Sequence, residues 1–430
     1  MLIPTPEQQT VIEKVRTHNI NTSQVGAGKT LMALEGFKHS DLKKLVIVCL
    51  ASKVSDWASE GSQQGLGIIT IEGSPKRRES LLEATGTQHV AISFQSSWRT
   101  PQLLKFIDKE TMIVFDESHL LANRTANVTK FWMKASKKAG QTYLMSGTPI
   151  SNGAMEQWFS QLTIAGLYKG TWKAFRERYC IEELQYMGGR SFNVITGYKN
   201  LHELKEIVST HSVSIKRDNK LVPSDIVKYV KSPSMVKALA KHRTYQTDSG
   251  DIIELDNPSK VFNALRVASN GYVPYVDKVA KNSKIDTLKD ILEECKGERV
   301  VIGYNYTESY NRLYDVISKS GRPVSSYNGS VKDLEAWEQY DNAIILVQFK
   351  AGSTGVNILA QSHTMVFYEM PLSSITFEQM KGRITRHTST DNPLYYYLIA
   401  DNDIERKVYN NVTNGESVTQ TLIDEWMEEI

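Results

Sequence analysis

The chain has 430 residues, 40% of them hydrophobic and 23% charged, which is too long for one compact core and ordinary for a globular protein of two or three domains. Its 51 Lys and Arg against 48 Asp and Glu leave a net charge of +3. Any contact with a phosphate backbone must therefore come from a local groove, not from a basic tail. Cys49, Cys180 and Cys295 are widely spaced, which excludes a cysteine-built zinc site and points to a reducing compartment. The longest apolar run, Leu45 to Ala51, is far short of a membrane span, and no apolar signal segment opens the chain. A cytoplasmic protein with no membrane contact is expected.

Residues 5–18 read as a short helix, with Thr5 as N-cap, Pro6 at its first position and Gln8 near its start. Ile20–Val25 reads as a strand, although it is unusually polar. It leads into Ser23-Gln24-Val25-Gly26-Ala27-Gly28-Lys29-Thr30. Gly26 and Gly28 allow a tight turn whose N–H groups, with those of the following helix 30–39, face an anion. Lys29 is placed to reach the β- and γ-phosphates of a nucleotide, and Thr30 to hold magnesium. Ser23 departs from the first glycine of the G-x-x-x-x-G-K-[ST] pattern, so a plain glycine turn beside a surface lysine stays open at this point.

Lys44–Leu50 reads as a continuous apolar strand of a parallel sheet buried on both faces. Val90–Ser93 reads as a third strand, Met112–Phe115 as a fourth and Thr142–Met145 as a fifth. The fourth ends in Asp116-Glu117-Ser118-His119. Paired carboxylates after a buried strand suit magnesium-assisted phosphoryl transfer, with Asp116 on the metal and Glu117 on the attacking water. A solvated acidic turn is the plain alternative. Ser146-Gly147-Thr148-Pro149-Ile150-Ser151-Asn152 follows the fifth strand as a small-residue turn at the sheet edge where ligands bind.

Residues 153–299 look mostly helical, with Trp158, Tyr168, Trp172, Phe175 and Tyr179 as core aromatics. Gly188–Lys199 looks like a polar hairpin or loop, and Lys216–Lys220 like a charged linker. A second α/β pattern then begins, with strands expected at Val300–Gly303, Ala343–Val347, Thr364–Tyr368 and Leu394–Ile399. Gly352-Ser353-Thr354-Gly355-Val356-Asn357 reads as a small-residue loop. Gln379, Arg383 and Arg386 have helical spacing and share one face. Two arginines turned to a phosphate suit transition-state charge neutralisation, and an exposed basic face is the alternative. Leu422, Ile423, Trp426, Met427 and Ile430 mark one apolar face on a helical tail.

In order along the chain, these pieces resemble helicase superfamily two, and within it the Swi/Snf family of DNA-dependent ATPases. Pro6-Glu7-Gln8 looks like the family's adenine-reading Gln motif, Gly26–Thr30 like motif one, Leu50–Trp57 like motif Ia and Ser93-Phe94-Gln95 like motif Ib. Asp116–His119 is similar to motif two, with Ser118 where alanine is usual. Ser146–Asn152 is similar to motif three. Tyr327-Asn328-Gly329-Ser330 matches a family turn, with Asn328 replacing Asp. Gly352–Asn357 and Gln379–Arg386 resemble motifs five and six, and Leu265–Asn270 the helix before the second lobe. His387-Thr388 stands where Gly-Gln is usual, as in a compact, phage-like member.

The resemblance implies an α/β fold of two tandem RecA-like domains with parallel sheets, residues 1–216 and 217–430, and a helical insertion projecting from about 232–281. ATP, with magnesium, would bind in the cleft between the domains. Gln8 would read adenine. Gly26, Ala27, Gly28, Lys29, Thr30, Asp116, Gly355 and Asn357 would line the nucleotide site, with Thr30 and Asp116 on the metal. Lys29, Asp116, Glu117, Arg383 and Arg386 would carry catalysis. Ser52, Lys53, Ser93, Phe94, Ser330 and Thr354 would touch DNA. Double-stranded DNA is the expected partner and single-stranded DNA a second candidate, with protein partners unknown. Three functions compete: a translocase on duplex DNA, a strand-separating DNA or RNA helicase, and an ATP-gated clamp without turnover.

Overall fold

The computed structural model describes residues 3–24, 26–85, 89–150, 153–187, 190–215, 222–273, 276, 283–355, 358–385 and 391–429. The chain divides into two units, Met1–Asp218 and Asn219–Ile430.

The first unit is built on a parallel sheet. Its strands are β1 (Ile20–Asn21), β2 (Lys44–Cys49), β3 (Ile68–Thr70), β4 (His89–Ser93), β5 (Thr111–Asp116), β6 (Gln141–Met145) and β9 (Ser212–Val213), and β7 (Cys180–Met187) pairs with β8 (Arg190–Tyr198) in a separate hairpin. The spatial order is β3-β4-β2-β5-β6-β1-β9. Alternate residues of one strand feed opposite layers. Val46 and Val48 pack with Ile113 and Phe115 on one face, and Leu45 and Ile47 with Met112 and Val114 on the other. Burial on both faces is why these strands read as unbroken apolar runs.

β1 is shorter and more polar than that rule allows, and the structure shows why. Asn21, fully buried, donates from Nδ2 to the Tyr143 hydroxyl at 3.0 Å and accepts the Ser23 N–H at 2.9 Å. A buried polar side chain is tolerated where both ends find partners.

The second unit holds β10 (Ser224–Val230), the small hairpin β11 (Thr244–Gln246) and β12 (Ile252–Glu254), then β13 (Val300–Tyr304), β14 (Val324–Tyr327), β15 (Lys332–Asp333), β16 (Ile344–Gln348), β17 (Thr364–Phe367) and β18 (Leu394–Ala400). Its seven-stranded sheet runs β10-β18-β17-β13-β16-β14-β15, parallel except for β15. Both units are α/β and parallel-sheeted, as expected for tandem RecA-like domains.

Three expectations need correction. Residues 153–299 are not mostly helical: they contain the β7–β8 and β11–β12 hairpins and the edge strand β10, whose half-exposed, polar sequence gives no buried-strand signal. Gly352 and its neighbours form not a loop but the helix Phe349–Gly355. A Cβ at Gly352 would stand 2.1 Å from Val347 Cγ1 and 3.1 Å from the Met380 sulfur, so the small residue serves close helix packing. Within 232–281, the helices Ser234–His242 and Pro258–Ser269 do not project but bury Val236, Leu239, Phe262 and Leu265 in the unit's own core.

The tail helix Gln420–Glu428 packs on that core too, through Ile423, Trp426 and Met427. Lys216–Lys220 and Ile430 lie outside the described residues.

Candidate active site

The first unit gathers its chemistry at one edge. β6 lies between β5 and β1, so the turns that follow these three parallel strands emerge side by side at their carboxyl ends. They are the glycine loop after β1, Asp116–His119 after β5 and Ser146–Pro149 after β6.

The loop leads into the helix Lys29–Lys38, with Gly28 as its N-cap. Gly26 and Gly28 take φ of 79° and 81°, the left-handed region that glycine enters without strain. Lys29 folds over the loop, its Nζ donating to the Ser23 carbonyl at 2.9 Å and the Gln24 carbonyl at 3.1 Å. Ser23, the departure from the glycine pattern, has its own use: its hydroxyl accepts the Ile215 N–H at 2.9 Å and ties the loop to the segment after β9. Ala27 is buried, Thr30 is half-buried in the helix's first turn, and Val25 lies outside the described residues.

Gln8 sits on the helix Pro6–Lys14, where Thr5 and Gln8 form a capping box. The Gln8 Oε1 accepts the Thr5 N–H at 2.9 Å, and its Nε2 donates to the Ala27 carbonyl at 2.9 Å. Its amide is thus bound to the loop itself, with one N–H left for a base edge.

Asp116 ends β5, and its Oδ2 accepts the Trp57 indole N–H at 3.0 Å. Burial holds this carboxyl above the usual carboxylate range and the Glu117 charge adds to that, while the Trp57 hydrogen bond and the Lys29 and Lys53 charges pull it down. Glu117 takes φ 63° and ψ 54°, a left-handed conformation rare for a residue with a side chain. Its Oε2 lies 3.3 Å from His119 Nδ1, and that nitrogen lies 3.1 Å from Ser146 Oγ. Thr30 and Asp116 offer the oxygen donors that magnesium takes. Among the described residues no cluster of three or more His, Cys, Asp or Glu forms a ready metal site. Two donors beside an anion cradle fit an ion that arrives with its phosphates and waters.

The residues expected to touch DNA differ in availability. Ser52 is half-buried in the turn after β2, and Lys53 is paired with Asp56 at 2.8 Å. Ser93 caps a short helix by accepting the Ser96 N–H at 3.1 Å, and Phe94 is buried in the core, so both side chains turn inward. Ser330 is exposed beside an Asx turn in which the Asn328 Oδ1 accepts its N–H at 2.9 Å, so Asn328 caps as an aspartate would.

In the second unit Gln379 and Arg383 lie on the helix Ser374–Ile384, both buried. The helix ends before Arg386, which with Asn357 lies outside the described residues. Gly355 closes the helix Phe349–Gly355, and the Thr354 side chain is not described. Sequence reasoning missed Gln161, fully buried and hydrogen-bonded to Ser118, and the Trp57 bond to Asp116.

A family profile described as SNF2-related domain matches residues 17–270, more than half the chain. The chain belongs to the Snf2 family. A second profile, the helicase conserved C-terminal domain, matches residues 283–388 of this Snf2-family chain. The human protein named DNA repair and recombination protein RAD54B is 22% identical over 94% of this chain and 52% of its own length. The mouse protein named DNA annealing helicase and endonuclease ZRANB3 is 24% identical over 84% of this chain and 32% of its own. The chain thus spans about half, or less, of these relatives. A solved Sulfolobus solfataricus SWI2/SNF2 ATPase core in complex with dsDNA is 17% identical, with a TM-score of 0.45 over 100% of this chain and 93% of that one. Family membership makes this chain a helicase-like, DNA-dependent ATPase. No helix among its described residues is long and apolar enough to cross a membrane.

Proposed function

We propose that this Snf2-family ATPase translocates on double-stranded DNA without separating its strands, remodelling DNA or displacing proteins bound to it. One observation carries the reading: the loop after β1, the carboxylates after β5 and the turn after β6 share one sheet edge, and the last two are joined by His119 and Ser146. ATP hydrolysis follows from the residue types there. The N–H groups of Gly26, Ala27 and Gly28 and the Lys29 ammonium bind the phosphates. Thr30 and Asp116 would hold magnesium, which when bound supplies positive charge to the phosphate oxygens. Glu117 orients water and takes its proton, Gln8 reads the adenine, and Arg383 and Arg386 neutralise developing charge. Gly355 and Asn357 complete the nucleotide contacts. An ATP-gated clamp has no use for Glu117.

The repair and recombination name of RAD54B supports DNA as the track, with contacts from Ser52, Lys53, Ser330 and Thr354 to the backbone. Such contacts are blind to sequence and weaken with salt. Strand separation is the second reading; it needs an element that splits a fork, and the antiparallel β7–β8 pair is the candidate for that element. The two readings part on two substrates. Translocation displaces a third strand from a triplex with ATP and leaves a forked duplex annealed. Unwinding of the fork would transfer the assignment to strand separation, and failure to displace the third strand would remove translocation.

A further inference from the structure

We propose that Gln161 is a positioning residue for Glu117, acting through Ser118. The inference rests on the reading of Glu117 as the residue that activates water. Glu117 is one of only three non-glycine described residues with positive φ, the others being Asn200 and Arg243. A side-chain-bearing residue stays in that region only where its neighbours fix it. On its N-terminal side, β5 and the Trp57 bond fix Asp116. On its C-terminal side stands Ser118, 1% exposed, whose hydroxyl donates to Gln161 Oε1 at 3.0 Å.

Gln161 is 0% exposed and lies on the helix Trp158–Ile164. Its Nε2 donates to the Pro149 carbonyl at 2.7 Å. One buried amide therefore joins the turn after β5 to the turn after β6, with an acceptor committed to the first and a donor to the second. It cannot rotate without leaving its own buried amide and the buried Ser118 hydroxyl unsatisfied. The preceding residue grips the same segment: the Ser160 hydroxyl lies 2.6 Å from the Leu121 carbonyl and 3.1 Å from that of Ala122. The helix thus acts as a ruler along the segment that follows Glu117. A backbone rotation at Glu117 would swing its carboxylate off the water, and displacements of about 1 Å cost up to about a hundredfold in rate.

Turnover of Gln161→Met, Ser118→Ala, the double variant and Glu117→Gln, measured with duplex DNA well below each melting temperature, tests this. Gln161→Met should lower kcat about tenfold or more with KM for ATP changed less than about twofold. Ser118→Ala, which restores the residue usual in the family, should lower kcat comparably. The double variant should be no slower than the slower single, because both lie on one path. A lowered melting temperature with kcat kept at the parent's value in both single variants would overturn the proposal, as would multiplicative losses in the double. Glu117→Gln tests the underlying reading separately. If it binds nucleotide and does not turn over, the Gln161 results decide alone. Turnover like the parent's would overturn both.

Discussion

The Ser146 hydroxyl lies 3.1 Å from His119 Nδ1 and accepts the Thr148 N–H at 3.2 Å. Residues far apart in sequence thus meet where two neighbouring parallel strands end. The bond holds the turn after β6 to the carboxylate-bearing turn after β5. Ser146 is 1% exposed, so Ser146→Ala leaves the half-buried Thr148 N–H without its acceptor and the His119 ring without its partner on this turn. A stability loss of about 1–3 kcal/mol is expected, together with a fall in ATP turnover. Urea unfolding and steady-state hydrolysis measure the two. Unchanged turnover would mean that the link serves folding alone.

Lys29→Ala removes the loop's cation and should abolish hydrolysis. Glu117→Gln keeps the shape of the side chain and removes the proton acceptor, so ATP binding should persist while turnover is lost. Equilibrium binding of a labelled nucleotide, beside the hydrolysis assay, separates the two. Parent-like turnover in Glu117→Gln would remove its assigned role.

Arg383 is buried on the helix Ser374–Ile384, and Arg386 lies outside the described residues. Arg383→Ala should lower both the melting temperature and turnover. Arg386→Ala should fold, bind DNA and lose about 10³-fold in turnover, the scale on which a charge-neutralising arginine acts. Near-normal turnover in both would leave only a basic helix end.

Lys284 is fully buried and pairs with Glu405 at 2.8 Å, donating also to Asn270 Oδ1 at 3.0 Å. Asn270 in turn donates to Glu369 at 2.9 Å, where burial holds the carboxyl above the usual range and the Lys284 charge opposes it. Lys284→Met should cost about 3–5 kcal/mol, since it leaves a buried carboxylate unpaired. The pH dependence has a definite sign. A raised carboxyl pKa means that the folded state keeps a proton the unfolded state has released. Stability therefore falls as pH rises from the usual carboxylate range through the elevated pKa. Without the lysine that fall should move to higher pH and deepen, as urea unfolding across pH would show.

The doubly buried strands Lys44–Cys49, Thr111–Asp116 and Ile344–Gln348 were legible because burial on both faces demands an apolar run. The glycine loop and the carboxylate pair were legible because their chemistry restricts residue type. β1 was half-hidden, since the polarity of Asn21 is satisfied only by Tyr143 on a strand far along the chain. β14 was missed: Ser325 and Ser326 interrupt its apolar run although both are buried. Gly352 was misread as a loop signal because small residues serve close packing as well as turns. Gln161 gave no sign, since nothing local marks a helical glutamine as the partner of a serine on another turn.

Translocation on duplex DNA is tested most directly by which nucleic acid stimulates hydrolysis. Steady-state ATP turnover should be measured with duplex DNA, single-stranded DNA and RNA at matched nucleotide concentration and rising salt. Duplex DNA should stimulate more than either single strand, and the stimulation should decline as salt competes for the phosphate contacts. Stimulation by RNA alone, or by single-stranded DNA above duplex, would contradict it.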